Sequence, residues 1–154
     1  MISRVLAVSL SLLITEQAFG PGHGDFHFKN VHVDDDDNIT LLDFDNGGED
    51  YLLQDVACYV WANHYGKLDN VYATTFVDGY DSVRAFTEDE RDLLDLFVMA
   101  KEFRLISGFA KNVNQIGHYP LRFRSLDWFS QSLRNRAEAR LILSSWQIML
   151  GYES

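Results

Sequence analysis

The sequence predicts a mostly helical α+β fold in which a small β-hairpin precedes a series of helices. Two short β-branched or apolar runs, Val31–Val33 and Ile39–Leu42, flank the polar turn Asp34–Asn38, which is the pattern of a hairpin. Downstream, apolar residues recur at four-residue steps, which indicates helices. With 154 residues, 47% of them hydrophobic, the chain is long enough to bury a core as a single domain over residues 1–154.

The first segment, residues 1–20, contains one arginine and an apolar run from Val5 to Ile14. We expect residues 2–17 to form a helix that packs on the later helices and ends at the Gly-Pro-Gly sequence that follows. The alternative is a secretory signal, because Ala18 resembles the start of a small-residue cleavage site. The apolar run is too short to span a membrane. We therefore expect a cytoplasmic protein without a membrane partner.

Residues 21–48 are expected to hold a catalytic loop and the hairpin, and residues 49–154 a helical subdomain. Thr87 to Glu90 reads as a capping box, in which a Thr hydroxyl and a Glu carboxylate satisfy free N–H groups at a helix start. Gly66 and Gly108 are expected to end the helices before them. The helices are expected over about Glu49–Tyr65, Val71–Tyr80, from the capping box to Ser107, and Leu126–Leu150.

The acidic residues are concentrated in the first third of the chain. The formal net charge is −10, and up to Asp55 there are 11 acidic and 2 basic residues. Such a chain is poorly suited to bind nucleic-acid phosphates over a broad surface, so no nucleic-acid partner is expected. A bound cation or a cationic substrate fits the charge better. Cys58 is the only cysteine, which excludes an internal disulfide and favours a reducing compartment.

The hairpin suggests a site for a hard cation. If Val31 is paired with Leu42, then Asn30 lies directly opposite Asp43, with Cβ atoms roughly 5 Å apart. Asp25 comes five residues before Asn30, in the segment that enters the strand. An amide oxygen and two carboxylates at close range are ligands that suit Mg²⁺. The four aspartates of the turn would lie roughly 10 Å away, at the other end of the hairpin, as a solvated loop.

Three short stretches resemble the aminoglycoside phosphotransferase and choline kinase-like family, which is related in fold to protein kinases. They are His-Gly-Asp-x-His-x-x-Asn over 23–30, Leu-Asp-Phe-Asp over 42–45 and Gln-Asp-Val-Ala over 54–57. The stretch 76–109 is also similar to the helical subdomain of members related to homoserine kinases and stress-response kinases. In all, the resemblance covers about residues 18–146.

The resemblance implies a role for each motif residue. Asp25 resembles the catalytic residue that accepts the proton of the substrate hydroxyl. Asn30 and Asp43 resemble the Mg²⁺ ligands that clamp the phosphates of ATP. His23 and Asp55 resemble residues that brace the catalytic loop. Further positions that are candidates for substrate contact or support of the site are His27, Asp45 and Glu49.

The resemblance also implies the C-terminal lobe of a kinase without its N-terminal lobe. Kinases need a Gly-rich loop and a strand lysine to hold the nucleotide, and the 22 residues before His23 contain neither. Asp45 also replaces the glycine of the Asp-x-Gly motif. We expect a truncated ATP-dependent phosphotransferase that acts on a hydroxyl group of a small molecule. The acidic charge of the chain would suit an acceptor that carries a positive charge. This chain alone is expected to bind ATP weakly and turn over little, unless a separate chain supplies the other lobe.

Two other functions are compatible with parts of the sequence. The first is a non-catalytic kinase lobe that acts as a binding module or has no function. The second is a non-haem iron oxygenase, in which His23 and Asp25 would share a metal with His64 or His118. Oxygenases of that kind are built on β-rich barrels, whereas only one short hairpin is predicted here, so the oxygenase is the weaker alternative.

Overall fold

A computed structural model describes residues 18–116 and 124–149 of the chain. The helix expected over 2–17, the choice between that helix and a signal, and the end of the last helix at Leu150 lie outside the described residues. The mostly helical α+β class is confirmed. The elements are β1 (Phe19–Gly22), β2 (Val31–Val33), β3 (Ile39–Leu41), β4 (Gly48–Tyr51), α1 (Leu53–Gly66), α2 (Asn70–Val83), α3 (Glu88–Ile116) and α4 (Leu126–Met149).

The chain divides into two compact units, Met1–Lys101 and Glu102–Ser154. The prediction of a single domain stays a prediction, because a division into compact units does not decide whether the chain folds as one.

Strands β1 and β4 form an antiparallel pair that the sequence did not predict. Phe19 lies opposite Tyr51 and Gly22 opposite Gly48, and the rings of Phe19 and Tyr51 meet edge to face at 5.5 Å. The expected helix start at Glu49 is therefore wrong, because Glu49 belongs to β4 and α1 begins at Leu53. Local patterns missed this pair because the two strands are rich in glycine and charge and lie about 30 residues apart.

The hairpin β2–β3 forms where predicted, but its register differs by one residue. Val31 lies opposite Leu41 rather than Leu42, so Asn30 is not opposite Asp43 as expected. The cause is the turn. Asp37 adopts a left-handed φ of 62°, and the N–H of Asp34 donates to the carbonyl of Asn38 at 3.1 Å. A three-residue loop with a left-handed third residue thus sets the pairing.

The helix ends follow the sequence in part. Helix α1 ends at Gly66, as predicted, with the left-handed residue at Lys67. The expected stop at Gly108 is wrong, since α3 continues to Ile116. A glycine within a helix costs only about 1 kcal/mol relative to alanine, which the surrounding helix formers offset. No helix within 18–116 or 124–149 has the length and apolarity that a membrane crossing requires.

The capping box at the start of α3 is confirmed. The N–H of Glu90 donates to the Thr87 hydroxyl at 3.1 Å, and the N–H of Thr87 donates to the Glu90 carboxylate at 3.0 Å. Glu90 also pairs with Arg84 at 2.6 Å. These bonds satisfy free donors of the first turn and so define where the helix begins.

Aromatic rings in the first unit attach the segment after Asp25 to the helices. The ring of Phe26 lies 5.5 Å from that of Phe76 on α2, and Phe76 stacks on Tyr59 of α1 at 4.1 Å. Such ring contacts contribute roughly 0.5–1.5 kcal/mol each beyond the area they bury. The loop that precedes β2 is therefore packed against two helices through Phe26.

The second unit contains a fully buried carboxyl group, that of Glu102. One carboxyl oxygen accepts a hydrogen bond from the Ser132 hydroxyl at 3.0 Å, and the other has no partner within the described residues. Burial raises the pKa of Glu102 above its ordinary value of 4.5, although Ser132 and the charge of Arg136 oppose the shift. Folding therefore favours the protonated form of this carboxyl group.

We predict that Glu102→Gln raises the free energy of unfolding at pH 7. Because the folded pKa is raised, the protonated form contributes stability below about pH 4.5 that is lost as pH rises through the folded pKa. The amide of Gln does not ionise, so the variant avoids this loss of stability at pH 7. At low pH the Glu102 carboxyl group is itself neutral, so the variant should be no more stable than the parent. Denaturant unfolding at several pH values measures it, with Glu138→Gln, an exposed position on α4, as the control. Equal gains at pH 4 and pH 7 would contradict the prediction.

Candidate active site

The loop that precedes β2 is anchored to helix α1 by one carboxylate. Asp55, in the first turn of α1, accepts the main-chain N–H of His23 at 2.6 Å and that of Gly24 at 2.8 Å. Hydrogen bonds to a charged acceptor are shorter and roughly twice as strong as neutral ones. These two bonds fix the main chain just before Asp25, and the catalytic role of the loop stays a prediction.

Gly24 allows this tight loop. Its φ is +77°, in the left-handed region. A Cβ atom at this position would collide with the main-chain carbonyl of Asn46. Glycine is therefore required both by the backbone conformation and by the closeness of the neighbouring segment.

His23 links the loop to the hairpin. The side chain is buried, and its Nε2 lies 2.8 Å from the carbonyl oxygen of Leu42, to which it donates in the matching tautomer. Its ring also lies 4.4 Å from the ring of Phe44. The imidazole thus contacts both neighbours of Asp43, namely the main chain of Leu42 and the side chain of Phe44.

Asn30 and Asp43 are joined through Leu42, not by direct pairing. The N–H of Leu42 donates to the main-chain carbonyl of Asn30 at 2.9 Å, and the side-chain amide of Asn30 donates to the Asp25 carbonyl at 3.0 Å. Asp43 follows Leu42 with a left-handed φ of 64° and an exposed side chain. Strained backbone of this kind persists where the surrounding structure enforces it, often at functional sites. Hydrogen bonds therefore link Asp25, Asn30 and Leu42, the residue before Asp43, at one junction of loop and hairpin.

The donor set at this junction fits Mg²⁺. The amide nitrogen of Asn30 is used within the loop, which leaves its carbonyl oxygen as the potential ligand. Asp43 offers a carboxylate that carries no hydrogen bond or ion pair in the described part of the chain. Mg²⁺ keeps several waters and takes only one or two carboxylates besides substrate phosphates. One carboxylate and one amide oxygen therefore suffice for a Mg²⁺–nucleotide complex.

The two carboxylate oxygens of Asp25 have different neighbours. Oδ1 accepts from the ammonium of Lys101 at 2.8 Å and lies 3.6 Å from the thiol of Cys58. Oδ2 lies 3.6 Å from Nε2 of His27, which is beyond ordinary hydrogen-bond length. Burial alone would raise the pKa of Asp25, but the hydrogen bond and charge of Lys101 outweigh it and lower the pKa below its usual range. Asp25 is therefore ionised at neutral pH.

The thiol next to Asp25 is not a nucleophile at neutral pH. Cys58 is fully buried, and burial raises its pKa to about 11. The thiolate is the reactive form, so Cys58 acts here as a small packed side chain that contacts the carboxylate.

The other predicted positions lie around this junction or at its edge. Nδ1 of His27 is buried with no hydrogen-bond partner in the described residues. Asp45 and Glu49 are exposed, Glu49 in strand β4. The turn aspartates Asp34–Asp37 are all exposed, as expected of a solvated loop.

Within 18–116 and 124–149, no three His, Cys, Asp or Glu side chains are grouped to hold a metal ion. The described residues therefore do not form the His–Asp–His site of the oxygenase alternative through His64. The oxygenase alternative through His118 is not tested, because His118 lies outside the described residues.

Sequence reasoning missed Lys101, the residue closest to the Asp25 carboxylate. It lies 76 positions after Asp25, so no motif spacing connects the two. A signal was nevertheless present. Leu93, Phe97 and Lys101 follow one another at four-residue steps on α3, which places this lysine on the buried face of the helix. A lysine on an apolar helix face needs a partner charge, and that requirement pointed to a buried carboxylate.

A cleft of about 610 Å³ also borders the loop. Its lining is largely aromatic and apolar, and it includes His23, Phe26, Phe44 and Phe76. Asp25, Asn30 and Asp43 do not line it. This cleft therefore lies beside these three candidate site residues and is not formed by them.

A comparison with protein families identifies the phosphotransferase enzyme family, whose model matches residues 2–94. The match includes the loop, the hairpin and the brace at Asp55, and it covers more than half of the chain. No curated protein and no solved structure matches the chain.

We predict that Asp55→Ala lowers the free energy of unfolding by about 2–4 kcal/mol, because two N–H groups lose a charged acceptor. Amide exchange of His23 and Gly24 should accelerate more than exchange elsewhere in the first unit. Asp78→Ala, at an exposed position of α2, is the control and should change stability by no more than about 0.5 kcal/mol. Unchanged exchange at both amides would show that the brace does not hold the loop.

Proposed function

Because the chain belongs to the phosphotransferase enzyme family, we propose that it transfers the γ-phosphoryl group of ATP to a hydroxyl group of a small molecule. The observation that carries the proposal is that both main-chain groups of Leu42 form hydrogen bonds with residues of the loop. Its N–H bonds Asn30 and its carbonyl accepts from His23. Those two bonds join the loop that carries the proposed base to the strand end that precedes Asp43, which supports the proposal.

Asp25 is the base in this mechanism. It is ionised, and its Oδ2 is the oxygen without a hydrogen bond in the described residues, so Oδ2 accepts the proton of the acceptor hydroxyl. General bases of this kind contribute roughly 10²–10⁴-fold to the rate. His27 lies beside Oδ2 at 3.6 Å and lines the approach of the hydroxyl group.

Asn30 and Asp43 hold Mg²⁺ with the nucleotide. When bound, Mg²⁺ neutralises charge on the phosphates as the γ-phosphoryl group leaves. The position of the ion would be set by Asn30 and Asp43. The Asn30 amide is fixed by the Asp25 carbonyl, and the Asp43 backbone is fixed between Leu42 and the His23–Phe44 contact. Phosphoryl transfer depends mainly on such positioning and on electrostatics.

The finer assignment follows from the motifs. Within the family, the chain corresponds to the C-terminal, catalytic lobe of a kinase-like fold, close to the choline kinase, homoserine kinase and stress-response kinase branches. The acceptor is a small hydroxyl compound, with a cationic group as the favoured class. Exposed carboxylates at Asp45 and Glu49, and the net charge of −10, support that choice.

We predict that Asp43→Ala weakens Mg·ATP binding at least about tenfold, because the proposed Mg²⁺ site loses its carboxylate. Titration followed by NMR measures the affinity even when it is millimolar. Asp35→Ala is the matched control, since it removes a carboxylate from the exposed turn of the same hairpin. Equal affinities of the two variants would place the nucleotide elsewhere and contradict the proposal.

We also predict that Asp25→Asn lowers phosphoryl transfer to a panel of hydroxyl compounds by about 10²–10⁴-fold, with Mg·ATP binding retained. Transfer that continues in this variant would remove Asp25 as the base. Binding that depends on Asp43, without transfer to any acceptor in the panel, would instead favour a non-catalytic binding lobe.

A further inference from the structure

Lys101 forms a buried ion pair with the proposed base. Its side chain is 9% exposed, whereas that of Asp25 is 31% exposed, and Nζ lies 2.8 Å from Oδ1. Lys101 comes from helix α3, far along the chain from the loop. Lys101 lies within the stretch 76–109 that is similar to the helical subdomain of the family, but none of the three short motifs at 23–30, 42–45 and 54–57 includes it.

The pair is persistent because neither charge is easily left alone. An unpaired charge at a buried site is strongly destabilising. The ammonium approaches only Oδ1, which also contacts the Cys58 thiol. The carboxylate plane is therefore held from its buried side, and Oδ2 is left on the side that solvent reaches.

The ion pair also changes the charge of the site. Asp43 and Asp45 are exposed carboxylates near the same junction, and the nucleotide that would bind there is itself an anion. Without a cation on Asp25, a further negative charge would face the γ-phosphoryl group. Like charges repel more strongly in a partly buried site than in water, so the ammonium of Lys101 would lower this repulsion.

We propose that Lys101 is a positioning residue that holds Asp25 by Oδ1 and balances its charge when the anionic γ-phosphoryl group approaches. The inference rests on the proposed function. Oδ2 takes the proton of the acceptor hydroxyl, the new O–P bond forms, and the bond to the bridging oxygen breaks to leave ADP. Lys101 keeps its own proton throughout, so its ammonium compensates the charge of the site before and after the step.

The test is a charge-rescue cycle read out as Mg·ATP affinity, which needs no turnover. The chains are the parent, Lys101→Met, Asp25→Asn, the double variant and Lys111→Met. Lys111 is an exposed lysine on the same helix, so it controls for loss of a distant positive charge. NMR titration gives each affinity, and circular dichroism shows that each chain is folded.

Lys101→Met should weaken Mg·ATP binding by about tenfold or more, because the Asp25 charge is left unbalanced. The double variant removes both charges and should return to within about threefold of the parent, and Lys111→Met should equal the parent. A loss that persists in the double variant would overturn the inference, because the lysine would then act on the fold or on ATP itself. An unchanged affinity in Lys101→Met would overturn it as well.

A second comparison applies if Lys101→Met fails to fold. In Asp25→Asn the lysine is left as an uncompensated cation, so this variant should bind Mg·ATP more tightly than the double variant, by about tenfold. Equal affinities would overturn the inference. If Asp43→Ala binds Mg·ATP as the parent does, the proposed function fails and the inference fails with it. If Asp43→Ala weakens binding and the lysine variants do not, only the inference fails.

Discussion

Two hydrogen bonds from Asp55 hold the part of the molecule on which the candidate site depends. They connect the first turn of helix α1 to the main chain at His23 and Gly24, at 2.6 and 2.8 Å. Because the next residue is Asp25, the proposed base inherits its position from a helix and not from a mobile loop. Sites built on rigid elements are more precisely positioned than sites built on loops alone.

A second set of bonds carries this order into the hairpin. His23 and Asn30 both bond the main chain of Leu42, so the loop and the strand end move as one piece, and Asp43 is fixed just beyond. The charge of Asp25 is also held in place by a neighbouring residue. The carboxylate of Asp25 is paired through one oxygen with Lys101 and is about one third exposed, which would suit the proposed role as a base.

The parts of the fold that sequence predicted are those decided by neighbouring residues. The capping box at Thr87 and the helix end at Gly66 depend on local N–H groups and backbone conformation, and both are present. The hairpin register was wrong because the left-handed conformation of Asp37 is an uncommon choice for a non-glycine residue, which no pattern of apolar residues reports. The roles that the motif spacing suggested for the site residues stay predictions.

The remaining errors have a common cause, which is contact between segments that are distant in sequence. The pairing of Phe19 with Tyr51 and the ion pair of Lys101 with Asp25 join positions 32 and 76 residues apart. The four-residue spacing of Leu93, Phe97 and Lys101 would have placed this lysine on a buried helix face, but it does not identify the partner. Only the folded chain brings that carboxylate to the lysine.

The central claim is that Asn30 and Asp43 hold the metal of a metal–nucleotide complex beside Asp25. Paramagnetic relaxation by Mn²⁺·ATP, with Mn²⁺ in the place of Mg²⁺, tests it most directly, since the ion broadens the amide signals closest to it. We expect the broadening to be strongest at Asn30 and Asp43 and weak at the exposed turn Asp34–Asp37. Broadening centred on that turn, with sharp signals at Asn30 and Asp43, would contradict the account.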